Sequence, residues 1–102
     1  MSPFEIYNAT VVWRNCADMR PWLIVDIRSG DVLGCFPFSG QCCDGNCFEV
    51  SASHPDFHAT GLTKSCFILD THIIEIPRAS FARRRGELVG ALRLDFCKYA
   101  GL

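Results

Sequence analysis

The side chain best placed to do chemistry in this sequence is Arg20, directly before Pro21-Trp22-Leu23-Ile24-Val25-Asp26-Ile27. A guanidinium stays protonated in proteins and carries a fork of N–H donors that matches a carboxylate or a phosphoryl group. It can hold an oxyanion but is a poor base. The aliphatic and aromatic run behind it favours the packed surface of a sheet, and Pro21, lacking an N–H, suits the first residue of a strand. The residue before a proline is pushed towards extended geometry, so Arg20 is expected at the strand mouth, facing solvent or a ligand. The plain alternative is a strand-end charge paired with Asp18 or Asp26, because exposed ion pairs are common and weak.

A second group of reactive types is Cys42, Cys43, Cys47, His54 and His58. Thiolates and imidazoles bind zinc, and imidazoles titrate near neutrality, as an acid and a base for RNA cleavage require. The spacing lacks the paired Cys-x-x-Cys that would mark a zinc site, and Pro55 interrupts any helix placing both histidines on one face. The segment is therefore expected to be a polar surface loop, with no metal and no cofactor. His72 lies beside isoleucines and is expected to be structural.

Charge is uneven along the chain. The net charge is −1, which by itself excludes a general polyanion binder. From Arg78 onward, however, there are six Lys or Arg against two acidic residues, whereas the first 77 residues hold four basic and nine acidic ones. This basic tail could lie over nucleic acid, with Arg83 and Arg84 as contacts; the alternative is a solvated loop at Arg83-Arg84-Arg85.

With 102 residues, 49% of them hydrophobic and 21% charged, the chain is expected to be one globular domain spanning 1–102 with one modest core. No apolar stretch is long enough to span a bilayer, and the first residues lack a basic region followed by an apolar core, so a cytoplasmic location is expected. Seven cysteines, an odd number in that setting, argue against a disulfide framework.

The elements that position these residues follow from pattern. Strands are expected at Tyr7 to Trp13, Pro21 to Ile27, Val32 to Phe38, Phe48 to Val50, Leu62 to Leu69 and Thr71 to Ile76. Arg14 to Met19, Ser39 to Asn46 and Ser51 to Thr60 read as loops, and Arg28-Ser29-Gly30-Asp31 as a turn. Gly34 suggests a bend or a close backbone approach. Leu88, Leu92, Phe96 and Tyr99 recur at helical spacing, with Glu87 and Lys98 matching the helix dipole and Gly101 a stop. Short strands followed by one terminal helix predict a mainly β (α+β) fold, a small bent sheet or open barrel.

In this order the segments resemble the MazF/PemK family of toxin ribonucleases. The resemblance is carried by Val-Val-Trp13, Arg20-Pro21 before Leu23-Ile24-Val25, Phe36-Pro37-Phe38-Ser39, and Phe48-Glu49-Val50. Gly61-Leu62-Thr63-Lys64-Ser65, Ile73-Ile74-Glu75-Ile76, Gly86-Glu87-Leu88 and the last helix continue it over nearly the whole chain. It implies an SH3-like barrel with a C-terminal α-helix, acting as a homodimer on single-stranded RNA and inhibited by a small antitoxin. It implies metal-independent cleavage in which the ribose 2′-hydroxyl attacks the adjacent phosphorus. Arg20 then matches the family's catalytic Arg, and Ser39 its catalytic Thr; Lys64 matches a phosphate contact. Phe38, beside Ser39, is the candidate for stacking on a base. No general base is evident. The sequence departs from the family at the short Arg14 to Met19 loop and at Ser65-Cys66, where some members carry an acidic residue after the basic one. A non-catalytic barrel binding nucleic acid or a protein, and a cysteine-rich zinc module, therefore stay open as alternatives.

Overall fold

The computed structural model describes residues 1–13, 16–28, 30–42, 45, 47–69 and 73–102, with backbone only for 12, 13 and 16–18. His72, Cys43 and residues 14–15 lie outside the described residues, as does the side chain of Trp13. Seven strands are described: β1 (Glu5–Trp13), β2 (Cys16–Ile27), β3 (Val32–Ser39), β4 (Cys47–Val50), β5 (Cys66–Leu69), β6 (Ile74–Pro77) and β7 (Phe81–Glu87). Short 3-10 turns occupy His58–Thr60 and Arg78–Ser80, and one helix, α1 (Gly90–Ala100), closes the chain. The strands run β4-β5-β3-β2-β1-β7, all antiparallel, and β6 pairs with β3. The fold is mainly β with a C-terminal helix, as expected from the sequence.

The apolar run of β2 is continuous because both faces of the strand are covered. Strand alternation sends Trp22 and Ile24 to a core with Ala9, Leu33, Cys35 and Ile76. Leu23 goes to the opposite side, with Ile6, Phe36, Phe38, Ile68, Leu92 and Phe96, and Val25 packs against it. Successive side chains on a strand point to opposite faces, so a strand between two apolar layers needs no polar alternation. Burial of the free thiols pushes the Cys35 pKa up to about 12 and the Cys66 pKa to about 11, the latter against the pull of Arg85 and Lys64.

Several boundaries differ from the sequence-based expectation, each for a physical reason. Pro21 is interior to β2, not its first residue; it pairs with Asn8 of β1, while the ladder to β3 begins only at Trp22↔Pro37. The missing N–H is thus tolerated where one neighbour has already left. Most of the segment expected as a loop from Arg14 to Met19 is strand, since β1 and β2 stay paired through Trp13↔Cys16. The sequence-predicted strand at Leu62 to Leu69 is regular only from Cys66. Residues 81–87, whose arginine run had a solvated loop as its alternative reading, form a strand because the edge of β1 is there to pair with them.

The helix begins at Gly90 rather than at Leu88, although Leu88 is still fully buried just before it. Its first turn has no local cap: Val89 is apolar, and Glu87 belongs to β7. Asp56, from a distant loop, accepts the Leu92 N–H at 3.4 Å, and its carboxylate lies 2.7 Å from where a Cβ on Gly90 would stand. Gly90 has φ +57°, so only a glycine fits there without strain. Asp56→Ala removes the cap and is expected to cost about 1 kcal/mol, read by chemical denaturation. At the other end Gly101, with φ +74°, donates to the Cys97 carbonyl and stops the helix as its sequence position predicts.

Candidate functional site

The site lies where β2 and β3 part. Their pairing ends at Trp22↔Pro37, and continuing its count by two places sets Arg20 against Ser39. Instead of following β2, the last residues of β3 pair with β5 on the other edge, Phe38 with Ile68 and Ser39 with Phe67. The split leaves a cleft of about 580 Å3 lined by Met19, Arg20, Ser39, Lys64, Cys66 and Arg85, among others. That size suits a nucleotide-sized ligand.

Arg20, partly exposed, reaches across the split: its Nη1 donates to the Phe38 carbonyl at 3.5 Å. Asp26, one of the partners considered for it, is engaged by Arg28 at 3.3 Å. Ser39 Oγ accepts the Gln41 N–H at 3.2 Å, so the side chain shapes the turn after β3 and keeps its own O–H for donation. Its place at the start of a loop is compatible with a ligand-facing role.

Lys64 lines the cleft from the loop before β5, which is docked on β7 by two glycines. A Cβ on Gly61, at φ +70°, would collide with the Arg85 carbonyl; one on Gly86 would meet the Ala59 carbonyl. The other basic candidates fall elsewhere. Arg84 donates to Glu5 at 2.7 Å and lies 3.7 Å from Glu87, and neither it nor Arg83 lines the cleft. The Arg84 hydrogen bond also holds the Glu5 carboxyl below its ordinary pKa. Phe38 contributes to the cleft wall, but its ring is 2% exposed within the core and presents no open face to a base. Met19, 58% exposed, is an apolar side chain that lines the cleft, and an exposed methionine has no distinctive sequence signal. Arg85 is concealed in the sequence by its place in a run of three arginines.

Among the described lining residues there is no carboxylate and no imidazole. His54 and His58 lie outside the cleft; His54 Nδ1 instead accepts the Asp56 N–H at 3.0 Å, steadying the loop that caps α1. The Cys66 thiol, with its pKa raised to about 11, is neutral at physiological pH and unsuited to act as a base. The cleft thus offers fixed cations and a hydroxyl, groups that bind and stabilise an anion.

The cysteine-rich loop differs from its expectation. Cys42 and Cys47 form a disulfide, with Cα atoms 6.1 Å apart, so a covalent bridge exists where the cysteine count argued against a disulfide framework. Neither bridged sulfur offers a thiolate to a metal, which removes two donors from the zinc reading. Among the described residues no group of three or more His, Cys, Asp or Glu could hold a metal ion. The bridge ties the turn after Ser39 to the start of β4. Closing so short a ring stabilises by about 2 kcal/mol in the chain-entropy account. Treatment with a dithiol is expected to lower the denaturation midpoint accordingly, and alkylation without reductant to leave Cys42 and Cys47 unmodified in mass spectrometry.

No protein-family model and no curated protein sequence matches this chain. Solved structures do match. Mycobacterium tuberculosis toxin MazF-mt6 superposes with a TM-score of 0.72 at 17% identity, covering 95% of this chain and 92% of that one. An endoribonuclease in complex with its cognate antitoxin, from a mycobacterial species, superposes with a TM-score of 0.72 at 14% identity, covering 99% and 91%. The chain has a MazF-like fold over nearly its whole length. Among the described residues no helix is long and apolar enough to cross a membrane.

Proposed function

We propose that this protein is the toxin of a toxin–antitoxin pair, an endoribonuclease that cleaves single-stranded RNA through attack of the ribose 2′-hydroxyl on the adjacent phosphorus. The observation that carries this reading is that Arg20 and Ser39 line one cleft at the parting of β2 and β3, together with Lys64. In-line attack concentrates negative charge on the phosphoryl oxygens. Arg20 binds those oxygens through parallel N–H donors, and its fixed charge matters most as the charge grows. Ser39 donates to a phosphoryl oxygen or orients the 2′-hydroxyl, while Lys64 holds a neighbouring phosphate. Because the nucleophile belongs to the substrate, no metal-bound water is required as the attacking group.

The active form is a homodimer that works in the cytoplasm and is held in check by an antitoxin; that partner is supported by the structural neighbour described with its own cognate antitoxin. A second reading, a barrel of the same fold that binds RNA without cutting it, is favoured by the absence of a carboxylate or imidazole among the described lining residues. Incubation with a mixed-sequence single-stranded RNA in excess chelator separates the two. Discrete fragments are expected; intact RNA that is nonetheless bound would establish the non-catalytic reading.

A further inference from the structure

We propose that Arg85 is a second phosphate-binding cation of the cleft, aimed there by a bulge in β7 and oriented by Asn8. This role rests on the RNA-binding reading above and extends it to a residue on a different strand. In the β1–β7 ladder Ile6 pairs with Gly86 and Tyr7 with Arg84, so Arg85 is an extra residue with no counterpart on β1. Bulges of this kind re-aim a side chain and are common beside functional sites. In the run of three arginines, Arg84 is engaged by Glu5 and Glu87, whereas Arg85 turns into the cleft with Arg20 and Lys64.

The guanidinium of Arg85 is held before any ligand arrives. Its Nε and Nη2 donate to the Gly61 carbonyl at 3.3 and 2.8 Å, and its Nη1 donates to Asn8 Oδ1 at 3.3 Å. These bonds use three of the donors that a guanidinium carries and leave others for an anion. Preset orientation reduces the entropy lost on binding. Asn8 pairs with Pro21, so the residue steadying Arg85 sits on the strand next to the one that carries Arg20. Across β1 the two arginine backbones are two strand spacings apart, about 10 Å, and they are further offset along the strands, since Arg20 pairs with Ala9 whereas Arg85 bulges between the partners of Ile6 and Tyr7. Arg85 therefore engages a phosphate flanking the one Arg20 holds. Asn8 is a positioning residue, acting through Arg85.

A purely structural role, stapling the Gly61 loop to β7, makes a different prediction about salt. Binding is measured by fluorescence anisotropy over a range of salt concentrations. The probe is a pool of 2′-O-methyl RNA oligonucleotides, which lack the attacking hydroxyl and cannot be cut. Each phosphate contact to a single strand contributes about 0.7 to the slope of log affinity against log salt. Arg85→Gln is expected to make that slope shallower by about 0.7 and to weaken binding about tenfold. Arg85→Lys keeps the slope but binds less tightly, because the fork is lost. Asn8→Ala weakens binding about twofold to threefold with the slope unchanged. A wild-type slope in Arg85→Gln overturns the proposal whatever its affinity. Should that variant not fold, wild-type affinity in both Arg85→Lys and Asn8→Ala overturns it instead. If the unaltered protein fails to bind the pool, the RNA-binding reading itself falls, and the role of Arg85 with it.

Discussion

Arg20→Ala is expected to lower RNA cleavage by about 100-fold or more while leaving the protein folded. The activity loss follows from removing the cation that faces the phosphoryl charge as it develops, an interaction strongest in the transition state. The fold should survive because Arg20 lies outside both apolar clusters. Arg20→Lys restores charge without the planar fork and should recover only part of the rate. The same assay on Ser39→Ala should show a smaller deficit, since the hydroxyl assists the phosphate and the backbone turn together. Unchanged cleavage in Arg20→Ala would remove the residue from the mechanism.

The largest expected effect on stability is at Gly61. Its φ of +70° is disfavoured for any residue with a Cβ, at a cost of about 1–2 kcal/mol. The added atom would also overlap the Arg85 carbonyl, which belongs to the backbone and cannot swing aside as a side chain would. Gly61→Val is therefore expected to cost about 4 kcal/mol and to displace the Lys64 loop, so that RNA binding falls with stability. Gly30→Ala is the control. Nothing lies within 4 Å of where the new methyl group would stand, and the change should stay within about 0.5 kcal/mol in the same denaturation experiment.

Much of this arrangement was legible in the sequence, for reasons that individual residues make clear. The run from Trp22 to Val25 could only be a buried strand, and the spacing of Leu92 and Phe96 marked the helix that covers it. Arg20 stood out as a cation directly before a strongly patterned run and Ser39 as the residue that ends β3, and both line the cleft where the β2–β3 pairing stops. What stayed hidden depends on long-range pairing. Nothing local separates Arg85 from Arg83 and Arg84; the distinction comes from a bulge against β1 and from a carbonyl 24 residues away. The polar composition of residues 83–85 carries no strand signal, because that strand is held by the edge of β1 rather than by its own propensity. The helix cap was equally invisible, since Asp56 lies 36 residues from the N–H it accepts. Phe38 looked like a stacking residue from its neighbour Ser39, but strand alternation turns its ring into the core.

The identity of the nucleophile decides the mechanism, and the ends of the cut RNA report it directly. Attack by the ribose 2′-hydroxyl forms a bond to phosphorus and expels the 5′-oxygen, which takes up a proton. The fragments are then expected to carry a 2′,3′-cyclic phosphate, or the phosphate formed when it opens, on one side and a free 5′-hydroxyl on the other. End-group analysis by mass spectrometry, after incubation of the wild-type protein with mixed-sequence RNA in chelator, should find these ends and no others. Fragments bearing a 5′-phosphate and a 3′-hydroxyl would mean that water, not the ribose, attacked the phosphorus, and would contradict the proposed roles of Arg20 and Ser39.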